Sequence, residues 1–442
     1  MIEIKVDNSE CQITGLSVTQ FKELKEVLSY RTDAQASYFS GRFGNKRYLL
    51  GRRGDFPSGL LYLVTGYLDG KRCQYKTDDR RIRPSNPCRF DLTLEFIPYT
   101  EQFEAAEACH AAGRGIVSCP TGTGKSQIAA MIINMLRCRT LVVVPTLELK
   151  RQLTESLRKA FGAARVGSFR DKRDIAVDNY DGLPMTEATG YDAVIIDEFH
   201  HSGAKTYRQL NKKAWKNIFY KIGLTATPFR ANDNERLLLE SVLSKVIYQL
   251  SYQDAVAKGY IVPVEAYFVT MPKVAVKGFT WPEVYKECVV DNRARNQIIA
   301  DLMKSLHTAG KSTLTLVREI SHGERLAKLT GAGFANGESE ETPELIRGFN
   351  SRALNTIIGT VGVLGEGVDT KPAEYVIIAG LGKAKTQLMQ SVGRAVRRYE
   401  GKESAKVILF NDESHRWTKA HFKAQCKILR DEYGVIPVKL DI

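Results

Sequence analysis

Short, unbroken apolar runs separated by helical stretches set the plan of most of the chain. From about Pro98 to Ser251 the runs are Ile116-Val117, Leu141–Val144, Ala193–Ile196 and Ile222–Leu224, each leading into a polar turn. After a connection containing Gly259–Pro263 the pattern returns with Thr313–Val317, Thr356–Ile358, Tyr375–Ile378 and Val407–Phe410. Continuous apolar strands alternating with helices predict parallel sheets covered on both faces. The first 95 residues read differently. They predict a helix over Thr19–Tyr30, a buried strand over Leu60–Val64 and an alternating strand over Arg89–Phe96, among dense turn signals. The expected organisation is therefore a small α+β module over residues 1–95 and two α/β domains over 96–255 and 256–442. At Trp417–Ile442, Lys419, Lys423, Lys427 and Arg430 recur at helical spacing and predict a packed amphipathic helix.

Charge changes the picture. The formal net charge is +14 over 442 residues, a field that draws polyanions and raises their encounter rate. Membrane is the weaker partner, since no apolar run nears the roughly 18 residues a span requires. The opening Met1–Lys5 lacks the basic-then-apolar plan of a secretory signal. The eight cysteines form no Cys-x-x-Cys pair and have no histidine at zinc-ligand spacing, which suits free thiols in a reducing cytoplasm without a structural metal. A Cys73–Cys88 bridge is compatible with the sequence but not required by it.

The candidate chemistry lies in the first α/β domain. Ser118-Cys119-Pro120-Thr121-Gly122-Thr123-Gly124-Lys125-Ser126 stands between a strand and a helix and reads as a phosphate loop. Small residues let successive N–H groups turn inward, and the helix points its positive end at the same anion. Lys125 is expected on the β- and γ-phosphates of ATP and the Ser126 hydroxyl on Mg²⁺. Cys119 stands where the usual first glycine would be. Ile195-Ile196-Asp197-Glu198 then sets two carboxylates at the end of an apolar strand. Asp197 is expected to hold the magnesium ion, and Glu198 to orient and deprotonate the attacking water.

With these motifs in order, the sequence resembles the superfamily 2 helicases. The Asp-Glu-x-His signature is Asp197, Glu198 and His200, followed by Thr225-Ala226-Thr227-Pro228. Then come Gly359–Gly362, Gly365–Asp369 and Gln387–Arg397, whose Gln-x-x-Gly-Arg-x-x-Arg core includes Gln390, Arg394 and Arg397. The resemblance covers roughly residues 98–410 and implies tandem RecA-like domains. It gives Arg394 and Arg397 the role of arginine fingers on the γ-phosphate, and their spacing places them on one helix face. It adds Thr121, Gly122, Thr123, Gly124, Asp369 and Gln390 to the nucleotide site, and Gln102 as the reader of adenine. Glu101 departs from the aromatic usual before that glutamine. His200, Thr225 and Thr227 become coupling residues, and Pro145, Thr146 and Thr360 nucleic-acid contacts.

The layout is similar to that of UvsW-like branch-migration helicases, with RecG-like and XPB-like features. It implies a partner in forked or four-way DNA, with no membrane and no stable protein partner evident. In the N-terminal module, Arg42, Lys46, Arg47, Arg52 and Arg53 form one basic group. Lys71, Arg72, Lys76, Arg80, Arg81, Arg83 and Arg89 form another, and Phe43, Tyr48, Phe56, Tyr67 and Tyr75 are interleaved among the two groups. Arg52, Arg53, Arg80 and Arg81 are the expected DNA contacts. An RNA helicase and an ATP-switched annealing protein remain open alternatives.

Overall fold

The computed structural model describes residues 1–31, 46–84, 87–90, 92–93, 97–183, 190–199, 204–226, 233–364, 370–380, 382 and 385–441. It has two compact units, Met1–Cys119 with Gly124–Leu250, and Pro120–Thr123 with Ser251–Ile442. The N-terminal module therefore belongs to the same body as the first α/β domain.

That module contains β1 (Ile2–Val6), β2 (Glu10–Thr14), β3 (Ser29–Arg31), β4 (Lys46–Tyr48), β5 (Asp55–Pro57) and β6 (Tyr75–Asp79). Four of these form a sheet in the order β5-β2-β1-β6, while β3 and β4 pair separately. The helix Val18–Val27 begins on a Ser17 capping box, where the Ser17 hydroxyl accepts the Gln20 N–H. Leu60–Val64 is helical rather than a strand, lying in a 3-10 turn and the helix Leu61–Gly70. Its buried positions Leu60, Val64 and Leu68 recur every four residues, whereas Tyr62 and Gly66, which a strand would set on the same face, are half-buried and exposed. The strand expected over Arg89–Phe96 is also absent among the described residues. Instead Cys88 and Thr93 donate their N–H groups to Arg137 and Ala160 of the first domain, at 2.7 and 2.9 Å.

The first α/β domain contributes β7 (Arg114–Ser118), β8 (Thr140–Val144), β9 (Val166–Gly167), β10 (Ile175–Asn179), β11 (Ala193–Asp197), β12 (Tyr220–Thr225) and β13 (Val246–Gln249). They form one parallel sheet in the order β13-β7-β12-β11-β8-β10-β9. The second unit has β14 (Val264–Thr270), β15 (Thr313–Val317), β16 (Gly333–Ala335), β17 (Thr356–Thr360), β18 (Tyr375–Ile378), β19 (Ala405–Asn411) and β20 (Val438–Lys439). Its parallel order is β16-β17-β15-β18-β19-β14-β20. Both are RecA-like α/β sheets, with β8, β15 and β17 buried along their whole length. The C-terminal amphipathic segment is the helix Arg416–Tyr433, which buries Leu429 and Tyr433.

The module docks on the amino edge of the first sheet through cations. Lys221, on β12, is fully buried and donates to Asn8 O, Ser9 Oγ and Asn211 Oδ1 at 2.8, 2.7 and 2.6 Å. Arg114, at the start of β7, donates to Ser58 Oγ and Asn8 O. Burial, reinforced by the charge of Arg114, pushes the Lys221 ammonium well below its usual range. Nearby, the Tyr62 hydroxyl donates to Glu240 Oε2 at 2.6 Å, and Gly59 lies so close to the Glu240 carbonyl that a Cβ would come within 2.2 Å. Arg81 and Arg83 lie over the Phe219 ring, at 5.6 and 5.4 Å.

A second buried polar cluster lies in the other unit. His322 Nε2 meets Asn296 Oδ1 at 2.9 Å, and Arg295 Nη2 donates to Ala379 O at 2.9 Å. Burial, with help from the charges of Arg295 and Arg325, pushes the His322 imidazole down to about 3.

Two outcomes follow from these clusters. Lys221→Ala removes three bonds and leaves buried acceptors behind, so urea unfolding should show a loss of about 2–4 kcal/mol. For His322, the folded pKa lies below the unfolded one. The unfolded chain therefore takes up a proton that the folded chain refuses, and stability falls as pH drops from about 6.5. Urea midpoints measured from pH 7 to 4 should show that decline in the wild type and a flatter profile in His322→Leu.

Candidate nucleotide and nucleic-acid sites

Parallel register assembles the nucleotide site. Leu224 of β12 pairs with Asp197 of β11 on one side and Val117 of β7 on the other, and Thr225 pairs with Ser118. The carboxyl ends of three neighbouring strands thus carry the phosphate loop, Thr225 and the acidic pair, where open parallel sheets bind ligands. The Cys119 N–H donates to the Thr225 carbonyl at 2.9 Å, joining the start of the loop to the end of β12. Cys119 itself is buried, which shows how that small side chain is accommodated, and burial pushes its thiol up to about 11.

The loop turns by left-handed backbone at Gly122 and Gly124, with φ of +94° and +82°. Thr123 Oγ1 donates to Pro120 O at 2.8 Å across the turn. Gly124 then caps the helix Lys125–Leu136, with Ser126 in its first turn. Gln102 is buried in the helix Thr100–Ala112, and its Oε1 accepts the Tyr99 N–H at 3.1 Å. Its Nε2 faces Gly124 so closely that a Cβ there would come within 2.5 Å.

Lys125 Nζ lies 3.3 Å from Glu198 Oε1. Asp197 Oδ1 accepts the Glu198 N–H at 3.0 Å. Glu198 sits in the left-handed region at φ +46°, a conformation that costs about 1–3 kcal/mol and clusters at functional sites. Burial, reinforced by the neighbouring Glu198 charge, pushes the Asp197 carboxyl well above the usual carboxylate range, with Lys125 pulling the other way. Two carboxylates held against one ammonium in a buried place form a donor set that suits a hard divalent cation. Asp197 and the Ser126 hydroxyl are the groups that would hold it.

His200, Thr227 and Asp369 lie outside the described residues, as does Arg42. Thr146 caps the helix Leu147–Phe161, its Oγ1 accepting the Leu149 N–H at 3.2 Å, with half-exposed Pro145 just before it. In the second unit, Thr360 ends β17 and is buried. Half-buried Gln390 and buried Arg394 lie on the helix Lys385–Ala395. Arg397 does not share that helix, contrary to the spacing argument. The helix stops at Ala395, and Arg397 pairs with Ile261 in an isolated bridge, which diverts its backbone from helical geometry. Within this unit the loop residue Gly122 stands against them, since a Cβ there would lie 3.1 Å from Ile261 Cγ2 and 3.2 Å from Arg397 Cγ. A Cβ on Gly393 would come within 2.6 Å of Thr121 Cβ.

The module's basic groups divide in two. Arg52 and Arg53 are exposed on the turn before β5. Arg80 pairs with Asp78 at 2.7 Å, and Arg81 grips Asp79 through Nε and Nη2 at 2.8 and 2.7 Å. The docking cations Arg114 and Lys221 were not singled out from the sequence. Their signal was a charged residue at the first or second position of an otherwise apolar strand.

A phosphate loop, a paired carboxylate and Thr225 on adjacent parallel strands define a P-loop nucleotide-hydrolysing fold of the RecA-like kind. The profile described as "Type III restriction enzyme, res subunit" matches residues 95–230, and "Helicase conserved C-terminal domain" matches residues 295–399. The chain belongs to the superfamily 2 helicases. It is 27% identical over 354 residues to Rad25 of Halobacterium salinarum, covering 72% of this chain and 55% of that one. It is 25% identical over 350 residues to DNA 3'-5' translocase XPB2 of Sulfurisphaera tokodaii, covering 67% and 78%. It is 21% identical over 435 residues to ATP-dependent DNA helicase uvsW of Enterobacteria phage T4, covering 88% and 86%. The chain thus spans little more than half of the halobacterial relative. Among the described residues, no helix is long and apolar enough to cross a membrane.

Glu198→Gln keeps the shape of the site and removes the carboxylate expected to act as its base. Nucleotide binding should persist in a fluorescent-nucleotide titration, while hydrolysis falls by roughly 10²–10⁴-fold.

Proposed function

We propose that the protein is an ATP-dependent DNA helicase or translocase that unwinds or branch-migrates forked and junction DNA. The observation that carries this reading is the meeting of Lys125, Glu198 and half-buried Asp197 beside Thr225. Lys125 and the loop N–H groups hold the phosphates of ATP, and Ser126 with Asp197 holds the metal. A divalent ion there supplies charge neutralisation to the β- and γ-phosphates. Glu198 releases Lys125 to the incoming phosphate, then orients a water and accepts its proton. Arg394 and Arg397 balance the charge that develops on the γ-phosphate, and Gln390 and Asp369 complete the nucleotide contacts. The loop's bond to the Thr225 backbone gives nucleotide state a route into the coupling motif, and from there to His200 and Thr227.

DNA is favoured as the track because all three relatives described above are named for action on DNA. Pro145, Thr146 and Thr360 hold the strand through phosphate contacts that read no bases. Arg52 and Arg53 extend the contact to the N-terminal module. The chemistry suits work on replication, recombination or repair intermediates within the cytoplasm.

The test is ATP hydrolysis measured with four-way junction, fork, blunt duplex and single-stranded RNA at one fixed salt concentration, since binding to nucleic acid falls steeply with salt. Junction and fork should stimulate most, by roughly tenfold or more over the unstimulated rate. Equal or greater stimulation by RNA would transfer the assignment to an RNA helicase. If Glu198→Gln still remodelled junctions at the wild-type rate, the ATP-switched annealing protein would replace the motor.

A further inference from the structure

In the second unit, residues 272–280 present an aromatic ring that the proposed chemistry leaves unused. Phe279 is 92% exposed. Its loop is nevertheless held from both sides. Glu287 Oε2 accepts the N–H groups of Lys277 and Gly278 at 2.7 and 3.3 Å, and Glu283 Oε2 accepts those of Phe279 and Thr280 at 2.9 and 3.0 Å. Gly278 packs so tightly that a Cβ would come within 2.7 Å of Glu283 Cβ. A phenylalanine on a pliant loop folds down, because burying it gains about 1.5–3 kcal/mol. Here the tethered backbone keeps the ring in water.

Other rings stand behind it. Trp281 meets His421 edge-on at 4.2 Å and Trp417 at 6.3 Å, all three half-exposed. Exposed Lys277, Lys286 and Arg416 flank these rings along the chain, and Arg416 lies 5.2 Å over Trp417. The local carboxylates are directed elsewhere. Glu283 and Glu287 accept the four N–H groups, and Glu413 faces Lys273 and Lys419 at 3.4 and 3.8 Å.

The position is the carboxyl edge of the second sheet. Thr360 ends β17, and Arg318 follows β15. Arg318 lies 5.8 Å over the ring of Tyr285, whose hydroxyl donates to Gly380 O just past β18 at 2.7 Å. Trp417 follows β19, and the Phe279 loop follows β14, tied to the β19 exit by Met271 N to Asn411 O at 2.9 Å and Val274 N to Ser414 Oγ at 3.0 Å. Since β17, β15, β18, β19 and β14 are consecutive neighbours, these groups follow one another along the edge where parallel sheets bind ligands.

We propose that this edge is a single-strand stacking track, in which unpaired bases stack on Phe279 and Trp281 while Lys277, Lys286 and Arg416 meet the phosphates. The proposal rests on the nucleic-acid reading above and adds a class of substrate to it. Duplex withholds its base faces, whereas unpaired bases offer them whatever their sequence. A cationic rim around exposed rings matches a polyanion that carries π-faces.

The test uses the full chain and fluorescence anisotropy with an oligothymidylate of about 20 nucleotides and a blunt duplex of the same length. Phe279→Ala should weaken oligothymidylate binding roughly tenfold and change duplex binding less than about twofold, while Phe279→Trp restores the wild-type value. Thermal melts of both variants, at a site this exposed, should match the wild type. Unchanged oligothymidylate binding in Phe279→Ala would overturn the proposal and leave the ring to a protein partner. An equal loss on oligothymidylate and duplex would overturn stacking as its basis. A wild-type chain that binds neither probe would sink the parent reading itself, an outcome distinct from either.

Discussion

The direction of seven parallel strands in the first unit is the constraint on which the rest depends. In such a sheet all carboxyl ends lie on one edge and all amino ends on the other, so ligands and supporting structure separate without further instruction. The strands β7 and β12 show both ends in use. Each carries at its start a cation, half-buried Arg114 or fully buried Lys221, that bonds the N-terminal module. Each finishes at a residue of the nucleotide site, and their ends are tied by the Cys119 to Thr225 bond. A one-residue slip between them would turn Lys221 away from Asn8 and Ser9 and break the alignment of the loop with Thr225. Register at one edge and chemistry at the other are thus the same fact.

The electrostatics of the nucleotide site follow from that geometry. Asp197 and Glu198 are neighbours in sequence at the end of one strand, so their repulsion cannot be relaxed by moving apart. Lys125 offsets part of it from the adjoining loop. The left-handed backbone at Glu198 adds to the cost of holding the second acid there. Structures keep strain of this kind where surrounding packing fixes it, and here a buried strand precedes Glu198 while fully buried Phe199 follows it. A cation with its phosphates relieves both the repulsion and the desolvation, so ligand binding has a stabilising role beyond its chemistry.

Much of this was legible in sequence because the signals were local. The strands at Leu141–Val144 and Thr313–Val317 are apolar throughout, and the phosphate loop and acidic pair are contiguous motifs. The errors came where a short apolar run has no period of its own. Leu60–Val64 reads equally as strand or helix over five residues, and only the continuation to Leu68 decides it. Arg394 and Arg397 at helical spacing satisfied a helix rule, but the bridge of Arg397 to Ile261 depends on a segment more than a hundred residues earlier. Lys221 was invisible for the same reason. Its three acceptors lie on Asn8, Ser9 and Asn211, and no window of sequence contains them together.

Charge shows the limit of composition most clearly. The excess of +14 counts every lysine and arginine equally, yet the structure assigns them different work. Arg80 and Arg81 are held by Asp78 and Asp79, Arg81 also lies on Phe219, Arg114 is bonded to Ser58 and Asn8, and Lys221 is inside the fold. None of these can meet a phosphate without giving up a partner. They still contribute to the long-range field only as far as screening permits, about 8–10 Å at ordinary salt, where a paired arginine and its aspartate nearly cancel. The cations that steer a polyanion to the surface and those that grip it on arrival are therefore drawn from a smaller set than the count suggests. Exposed pairs such as Arg52 with Arg53 are better placed for that grip than the denser group at residues 71–89, although in sequence the denser group looks the stronger.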